Sequence, residues 1–273
     1  RPWSYFQGYW SLHKIGSCMN KITNFIITDI IKNKIIIIYT VILALFSWSV
    51  LSLEDNMAKA MLSLLNIILL AVPLMAVIFS TIYMYNSSEF IELLVSQPIK
   101  RKTIWLSHFA GLSISLSIAF ILGIGLPIVV YSPDAAGFSI LLMGLFITPI
   151  FIAIAMLCSI LARDKARGIG IAIMVWLFLS LIYDGIVLYL MFQFADYPIE
   201  KPMVIMSALN PIDLARIMVL LKVDVSALMG YTGAIFKQIF GSQIGWIISM
   251  GLLLIWIVIP MWISLLKVKN KDL

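Results

Sequence analysis

The sequence predicts an all-α integral membrane protein with six transmembrane helices. Hydrophobic residues make up 62% of the 273-residue chain and charged residues only 12%, whereas soluble domains carry about 25% charged residues. Six apolar stretches approach or exceed the roughly 20 residues that a helix needs to cross the hydrocarbon core of a bilayer. The predicted spans are Ile35–Leu53, Leu62–Tyr85, Ile104–Ser132, Ala135–Ala162, Gly168–Ala195 and Gln238–Leu266.

Residues 1–18 differ in character from the rest of the chain. They lack the continuous apolar region of a signal peptide, and Met19 then opens a conventional start. We therefore expect residues 1–18 to be a leader outside the native protein, and residues 19–273 to form a single six-span domain. Without the leader, Cys158 is the one remaining cysteine, so neither a disulfide nor a thiolate metal site can be argued.

The segment before the first span is expected to form an amphipathic helix. Apolar residues recur at helical spacing between Lys21 and Lys34, while Asp29 and the lysines take the other positions. This pattern is typical of a helix that lies in the membrane interface and leads into a span.

The basic residues predict the orientation of the chain. They concentrate on the side of the membrane that carries both chain ends, and the positive-inside rule assigns that side to the cytoplasm. The net charge of +6 therefore reflects membrane topology, and no nucleic-acid partner is expected. The basic residues on this side are Lys21, Lys32, Lys34, Lys100, Arg101, Lys102, Arg163, Lys165, Arg167, Lys267, Lys269 and Lys271.

The first cytoplasmic loop, residues 86–102, is predicted to contain a short amphipathic helix. Glu89 and Glu92 lie on its polar side, Pro98 ends it, and basic residues follow. Such a helix lies parallel to the membrane, and it either docks into a groove of a partner or simply connects two spans. Its apolar patch consists of Phe90, Ile91, Leu94 and Val95.

The last outer loop, residues 196–240, is too apolar for an ordinary loop and too broken to span. Asn210 is a good N-cap, Pro211 suits the first helical position, and the helix dipole favours the acid at Asp213. The helices predicted outside the membrane cover Pro211–Leu221 and Thr232–Phe240, with Gly241 as a stop.

These outer helices are expected to dock a periplasmic partner, or alternatively to rest on lipid headgroups. The residues assigned to docking are Asn210, Pro211, Asp213, Arg216 and Tyr231.

Asp184 is the only Asp, Glu, Lys or Arg within the six predicted spans. An ionisable side chain inside a bilayer is costly and usually faces a cavity or a partner. Asp184 is therefore either a functional group, whose replacement by alanine impairs activity, or a packing residue that is hydrogen-bonded to a Ser or Tyr of a neighbouring helix.

Small residues recur at every fourth position of the third predicted span, at Gly111, Ser115, Ala119 and Gly123. Such a ladder lets another helix approach closely, because packing is the main attraction between helices in lipid. The ladder serves either a dimer or gating face, or packing within one subunit.

The loop at residues 86–102 resembles the first cytoplasmic loop of six-span permeases from bacterial ABC exporters. The shared pattern is an acid, apolar residues, Ser, Gln, Pro and basic residues ahead of a new span. The resemblance implies a coupling helix that inserts into a separate ATPase subunit, a second copy of the chain, and a location in the bacterial inner membrane. It assigns the coupling to Glu89, Phe90, Glu92, Pro98 and Arg101.

The outer loop narrows the resemblance further. Asn210–Arg216 and Asp224–Ala234 resemble the permease of the transporter that matures nitrous oxide reductase, the NosY group. That resemblance implies a cytoplasmic ATPase and a periplasmic β-helical protein as partners, and delivery of copper or sulfur as the function. Two alternatives stay open: an exporter permease for another cargo such as a drug, lipid or antibiotic, and a non-transporting membrane anchor for a periplasmic protein.

No cofactor or metal is expected in this subunit, and ATP is expected on the partner ATPase. Methionines pair on the outer side, at Met57 with Met61 and at Met203 with Met206, and thioethers suit Cu(I). Methionine is also a common packing residue, and His108 has no histidine or cysteine partner in the sequence pattern.

The subunit is not expected to be an enzyme. No Gly-Lys dipeptide occurs, which excludes a P-loop, and no His-Glu-x-x-His helix is present. A single intramembrane acid cannot form the carboxylate pair of an aspartyl protease.

Overall fold

The structure, a computed structural model, describes residues 19–97, 99–162, 164–194, 200–223 and 243–270, and the regular structure in these ranges is helical. Residues 1–18, Pro98, Tyr231, Thr232–Phe240 and Gly241, on which several predictions rest, lie outside the described residues. The helices are α1 (residues 19–31), α2 (Lys34–Leu53), α3 (Met57–Asn86), α4 (Ser88–Val95), α5 (Arg101–Tyr131), α6 (Ala135–Leu161), α7 (Lys165–Gln193), α8 (Glu200–Leu209), α9 (Pro211–Leu220) and α10 (Gln243–Asn270).

The predicted fold class is confirmed. Six helices, namely α2, α3, α5, α6, α7 and α10, are long and apolar enough to cross a membrane. The short helices expected before the first span, between the second and third spans, and after Asn210 are present as α1, α4 and α9. The sequence pattern did not predict α8.

Short polar caps fix where the spans begin. Asn33 accepts a hydrogen bond from the backbone N–H of Ile35 at 2.9 Å, and Asn56 does the same for α3 by accepting from Ala58 at 3.0 Å. The predicted second span began at Leu62, but α3 already begins at Met57. The cap at Asn56 supports an extra turn of helix there, since an N-cap satisfies backbone donors that have no partner within the helix.

Helix α6 is the centre of the bundle and α7 is its most peripheral span. Within the most apolar 18-residue stretch of each helix, 67% of α6 is buried inside the protein, whereas only 11% of α7 is. Helices α3, α5, α7, α9 and α10 all contact α6. Two spans contain a π-helical turn, at Ile121–Gly125 in α5 and at Phe178–Ile182 in α7.

The small-residue ladder of α5 packs within the subunit at both of its glycines. A Cβ atom added at Gly111 would overlap the side chain of Ile26 in α1, and one at Gly123 would lie 2.8 Å from Cβ of Leu43 in α2. The hydroxyl of Ser47 also donates to the carbonyl of Gly123 at 2.8 Å. These contacts favour the packing alternative over a dimer or gating face.

The six spans found among the described residues place the two ends of the bundle on the same side. Helices α1 and α4 and the end of α10 lie on this side, here called the α4 side. Helices α8 and α9 belong to the connection between α7 and α10 and lie on the other side, here called the α9 side.

Candidate functional site

Helix α4 presents one polar face outward and buries the opposite face. Ile91 and Leu94 are buried against the bundle, while Leu93 is 66% exposed. The exposed residues at helical spacing are Glu89, Glu92, Leu93 and Ser96, and together they form what we call the α4 face. The predicted apolar patch therefore packs inward, and the outward apolar contact is Leu93, which sequence reasoning did not single out.

An aromatic cluster fastens α4 to two other helices. The ring of Phe90 lies 5.1 Å from that of Phe25 in α1 and 6.3 Å from the imidazole of His108 in α5, measured between centroids. His108 is fully buried, and its Nδ1 lies 2.9 Å from the carbonyl of Ile104. Phe90 is thus an anchor of α4 rather than part of its exposed face.

Two tyrosines at the end of α3 extend this anchoring. The hydroxyl of Tyr83 donates to the carboxylate of Asp29 in α1 at 3.1 Å. The hydroxyl of Tyr85 lies 3.2 Å from the carbonyls of both Ser159 and Ala162, at the end of α6. The last carbonyls of a helix have no partner within that helix, so Tyr85 caps α6 with its side chain.

The beginning of α7 closes on the same tyrosine. A Cβ atom added at Gly168 would overlap the hydroxyl and the ring of Tyr85. Beside this contact, Nζ of Lys165 donates to the side-chain oxygen of Asn86 at 2.8 Å. The connection between α6 and α7 is therefore held against the end of α3, directly before α4.

The remaining residues predicted for coupling are placed only in part. Arg101 is the first residue of α5 and is half-buried. Pro98 lies outside the described residues. The structure thus brings Glu89 and Glu92 onto one exposed face and sets Phe90 behind it.

On the opposite side, α9 is capped as predicted but is buried. The side chain of Asn210 accepts from the backbone N–H of Ile212 at 3.1 Å, with Pro211 at the first helical position. Asn210, Pro211 and Asp213 are nevertheless all buried, and α9 contacts α3, α6, α10 and the π-helical turn of α7. Their burial differs from the expected exposed helix, because α9 is apolar on most of its circumference and the bundle has room for it.

Three contacts tie α8 and α9 to α7 around the π-helical turn. The side-chain nitrogen of Asn210 donates to the carbonyl of Leu179 at 2.8 Å, and the hydroxyl of Tyr183 donates to the carbonyl of Met206 at 2.6 Å. A π-turn displaces the regular i to i−4 pairing of the helix, which leaves the Leu179 carbonyl available to Asn210.

The third contact is an ion cluster. Nη1 of Arg216 lies 2.8 Å from Oδ2 of Asp184 and 3.2 Å from Oδ1 of Asp213. The partner of Asp184 is therefore an arginine from α9 and not the Ser or Tyr of a neighbouring helix that one alternative expected. Sequence reasoning named all three residues but assigned Asp213 and Arg216 to an outer surface, because it gave α9 no position inside the bundle.

The electrostatics of the cluster are unbalanced, with two carboxylates sharing one guanidinium. Burial is the main cause that raises the pKa of Asp213, and the neighbouring Asp184 carboxylate raises that pKa further. Arg216 and the side chain of Asn210 lower the same pKa, but they do not cancel the increase.

Metal-binding clusters are absent from the part of the chain that the structure describes, since no three His, Cys, Asp or Glu side chains come together there. The thiol of Cys158 is buried.

A family model described as ABC-2 family transporter protein matches residues 26–273. No curated protein matches the chain.

Proposed function

This chain belongs to the ABC-2 family of transporter proteins, and we propose on that premise how it works as the membrane subunit of an ABC transporter. Its six apolar helices make it a multi-pass membrane protein, and the family implies an ABC ATPase as partner. We infer that the ATPase docks on the α4 face, which places the α4 side, with both ends of the bundle, in the cytoplasm.

The observation that carries this proposal is the two-sided character of α4. Its exposed face combines the acids Glu89 and Glu92 with the apolar Leu93, a mixture that suits a groove with an apolar floor and a basic rim. Its other face is fixed to α1 and α5 through Phe90. A helix that is anchored on one side and exposed on the other can pass a push from a partner into the bundle.

Movement of α4 can also be transmitted through the end of α3. Tyr85 holds the end of α6, and Gly168 places the start of α7 against the same ring. Movement of α4 can therefore reach α1, α5, α6 and α7 through side-chain contacts. The central position of α6 then spreads that movement to α9 and α10.

The docking surface is tested by substitutions that replace its apolar and acidic side chains with basic ones. Leu93→Arg and Glu92→Lys are each expected to abolish co-purification of the ATPase with the membrane subunit. The matched controls are Leu53→Arg and Glu54→Lys, which alter an 83% exposed leucine and an exposed acid on the α9 side. Unchanged co-purification of both α4 variants, at equal membrane levels, would refute docking on the α4 face.

The anchoring role of Phe90 makes a different prediction. Phe90→Ala removes the ring contacts with Phe25 and His108 but leaves the α4 face intact. The ATPase is therefore expected to bind as before, while cargo no longer stimulates its turnover. Loss of binding in this variant would instead place Phe90 within the docking surface.

A second copy of the chain is proposed to complete the membrane unit, with α7 at the interface. This least buried span exposes large apolar side chains such as Leu181 and Leu188, an area that lipid or another copy must cover. Disulfide cross-linking through Leu188→Cys is expected between two copies, with Leu45→Cys on the exposed face of α2 as the control. If the dimer cross-links only through Leu45→Cys, its interface lies at α2 and not at α7.

For the cargo, we propose that this subunit lies in the bacterial inner membrane and serves the delivery of copper or sulfur in the maturation of nitrous oxide reductase. The support is the resemblance of Asn210–Arg216 and Asp224–Ala234 to the NosY group. Docking of a periplasmic β-helical protein belongs to the same proposal. Because Asn210, Pro211 and Asp213 are buried, such a partner has to bind other residues of this loop.

The cargo assignment is tested by gene neighbourhood and by deletion. Adjacent genes for an ATPase, a periplasmic β-helical protein and nitrous oxide reductase are expected, and deletion of this subunit is expected to leave the reductase without its copper centres. A fully metallated reductase in the deletion strain would leave export of another cargo or membrane anchoring as the function. Cysteine accessibility along α7 then distinguishes these two, since only transport requires a water-accessible path.

A further inference from the structure

The attachment of α9 to α7 depends on an ion cluster with surplus negative charge. One nitrogen of Arg216, Nη1, serves both Asp184 and Asp213. Oδ1 of Asp184 and Nε of Arg216 are buried without a hydrogen-bond partner among the described residues. With both carboxylates ionised, the cluster carries one net negative charge in a site that is mostly shielded from water.

Among the side chains that the structure describes, none besides Arg216 neutralises this charge. Asn210 and the phenol of Tyr183 are polar neighbours of Asp213, but neither carries a positive charge. The packed helices α6 and α10 contribute no charged side chain at this level in their described parts, and Lys59 at the start of α3 is exposed. Arg216 is therefore the one cation that the described side chains bring to the two acids.

The depth of the cluster makes the surplus charge costly. Helix α7 spans 29 residues, about 44 Å at 1.5 Å per residue, and Asp184 lies nine residues before its end at Gln193. For a hydrocarbon core about 30 Å thick and centred on α7, the carboxylate of Asp184 lies roughly 7 Å below the surface of that core. Unpaired charge at such depth is disfavoured, so a proton on one acid relieves it.

We propose that Asp184, Asp213 and Arg216 form a proton-operated latch, which holds α9 on α7 when Asp213 carries a proton and loosens when that proton leaves. With Asp213 protonated, Arg216 and Asp184 form a neutral pair, and the Asp213 hydroxyl becomes a donor for the Asp184 carboxylate. With Asp213 ionised, the two carboxylates repel each other across one guanidinium. The latch lies on the α9 side, at the opposite end of the bundle from the proposed docking surface, and it goes beyond the proposed function.

The direction of the pH effect follows from the raised pKa of Asp213. Burial and the Asp184 carboxylate raise it from 3.8 to about 7 in the packed state. A packed state with a raised pKa is stabilised below the ordinary Asp value and loses that stabilisation as pH rises through the raised value. Acid therefore closes the latch, and a rise from about pH 4 through neutrality opens it.

Hydrogen exchange tests the latch on the full-length chain in lipid nanodiscs, without ATPase or cargo. Amide exchange in residues 211–220, corrected for its intrinsic pH dependence, is expected to be roughly thirtyfold faster at pH 8.5 than at pH 5.5, because about 1.5 pH units of this range lie below the raised pKa of about 7. Asp213→Asn keeps the site neutral, so its α9 is expected to stay protected at both pH values. Asp55→Asn changes an exposed acid on the same side and is expected to behave like the wild type.

Two results would overturn the latch: exchange in α9 that does not change with pH in the wild type, or the same pH response in Asp213→Asn. Asp184→Asn provides a second variant if Asp213→Asn fails to accumulate. Because Asp184→Asn removes the repelling carboxylate, the pH midpoint of the change in α9 exchange is expected to be lower in this variant than in the wild type. An unchanged midpoint would contradict the proposal. Because no ATPase is present, failure of the latch leaves docking on the α4 face untouched, and the reverse holds as well.

Discussion

Substitution of Gly168 by alanine tests how tightly the start of α7 is packed against α3. The added Cβ atom would overlap the hydroxyl and ring of Tyr85, so the ring has to withdraw. The tyrosine then loses its shared hydrogen bond to the end of α6, worth about 1 kcal/mol, and overpacking adds about 1–3 kcal/mol. The gain in helix propensity of about 0.5–1 kcal/mol offsets part of this, which leaves a net loss of roughly 2 kcal/mol.

Gly170 offers a matched control in the same helix. A Cβ atom added at Gly170 has nothing within 4 Å, so Gly170→Ala keeps only the propensity gain. At about 2–4 °C per kcal/mol, Gly168→Ala is expected to lower the melting temperature by roughly 4–8 °C, while Gly170→Ala raises it slightly. Thermal unfolding of the purified chain, followed by the fluorescence of its 8 tryptophans, measures both.

Removal of the tyrosine side chain isolates the proposed cause. In a Tyr85→Ala background, Gly168→Ala has no ring to displace, so the second substitution is expected to cost nothing further. Contacting residues show such non-additivity, whereas independent sites add. Shifts of equal size and sign for Gly168→Ala and Gly170→Ala, or additive effects with Tyr85→Ala, would refute the packing argument.

Two further predictions concern the α9 side, and both are measured by the same thermal unfolding. Asn210→Ala removes the N-cap of α9, worth about 1 kcal/mol, and leaves the buried carbonyl of Leu179 without its donor, which costs about 1–3 kcal/mol; a melting temperature within 2 °C of wild type would contradict this. Asp184→Ala leaves Arg216 with Asp213 alone. At pH 5.5, where Asp213 is protonated and Asp184 is the ionised partner of Arg216, the expected loss is about 1–2 kcal/mol. This is less than for a fully buried pair, because the side chains of Asp184 and Arg216 are 28% and 32% exposed. Wild-type stability together with wild-type transport in Asp184→Ala would argue against any role of the cluster.

The membrane spans were predictable from the sequence because burial in lipid leaves a direct signal in composition. Long apolar runs cannot be stable as loops in a bilayer, since each backbone polar group has to be satisfied within a helix. The cap at Asn210 was predictable for a similar local reason, because the capping bond joins neighbours in the chain. The predicted second span began at Leu62, whereas α3 begins five residues earlier, at Met57, where Asn56 caps the extra turn.

The contacts that form the two candidate sites were not predictable, because each joins residues far apart in the chain. Asp184 and Arg216 were each noticed, but nothing in a single sequence pairs one with the other. The burial of α9 depends on space between α6 and α10, which local pattern does not record. Leu93 was missed for a simpler reason: the apolar residues around it were assigned to one patch, although it lies on the opposite side of α4 from Ile91 and Leu94.

Helix α7 joins the two candidate sites, and this suggests one last prediction. Its fourth residue, Gly168, contacts Tyr85 on the α4 side, and Asp184 lies 16 residues further, about 24 Å along the axis. A rigid helix carries displacement from one end to the other, so Gly168→Ala is expected to loosen the latch and raise hydrogen exchange in α9, while Gly170→Ala leaves it unchanged. If exchange in α9 is the same in both variants, the π-helical turn at Phe178–Ile182 absorbs the displacement, and the two sides of the bundle move independently.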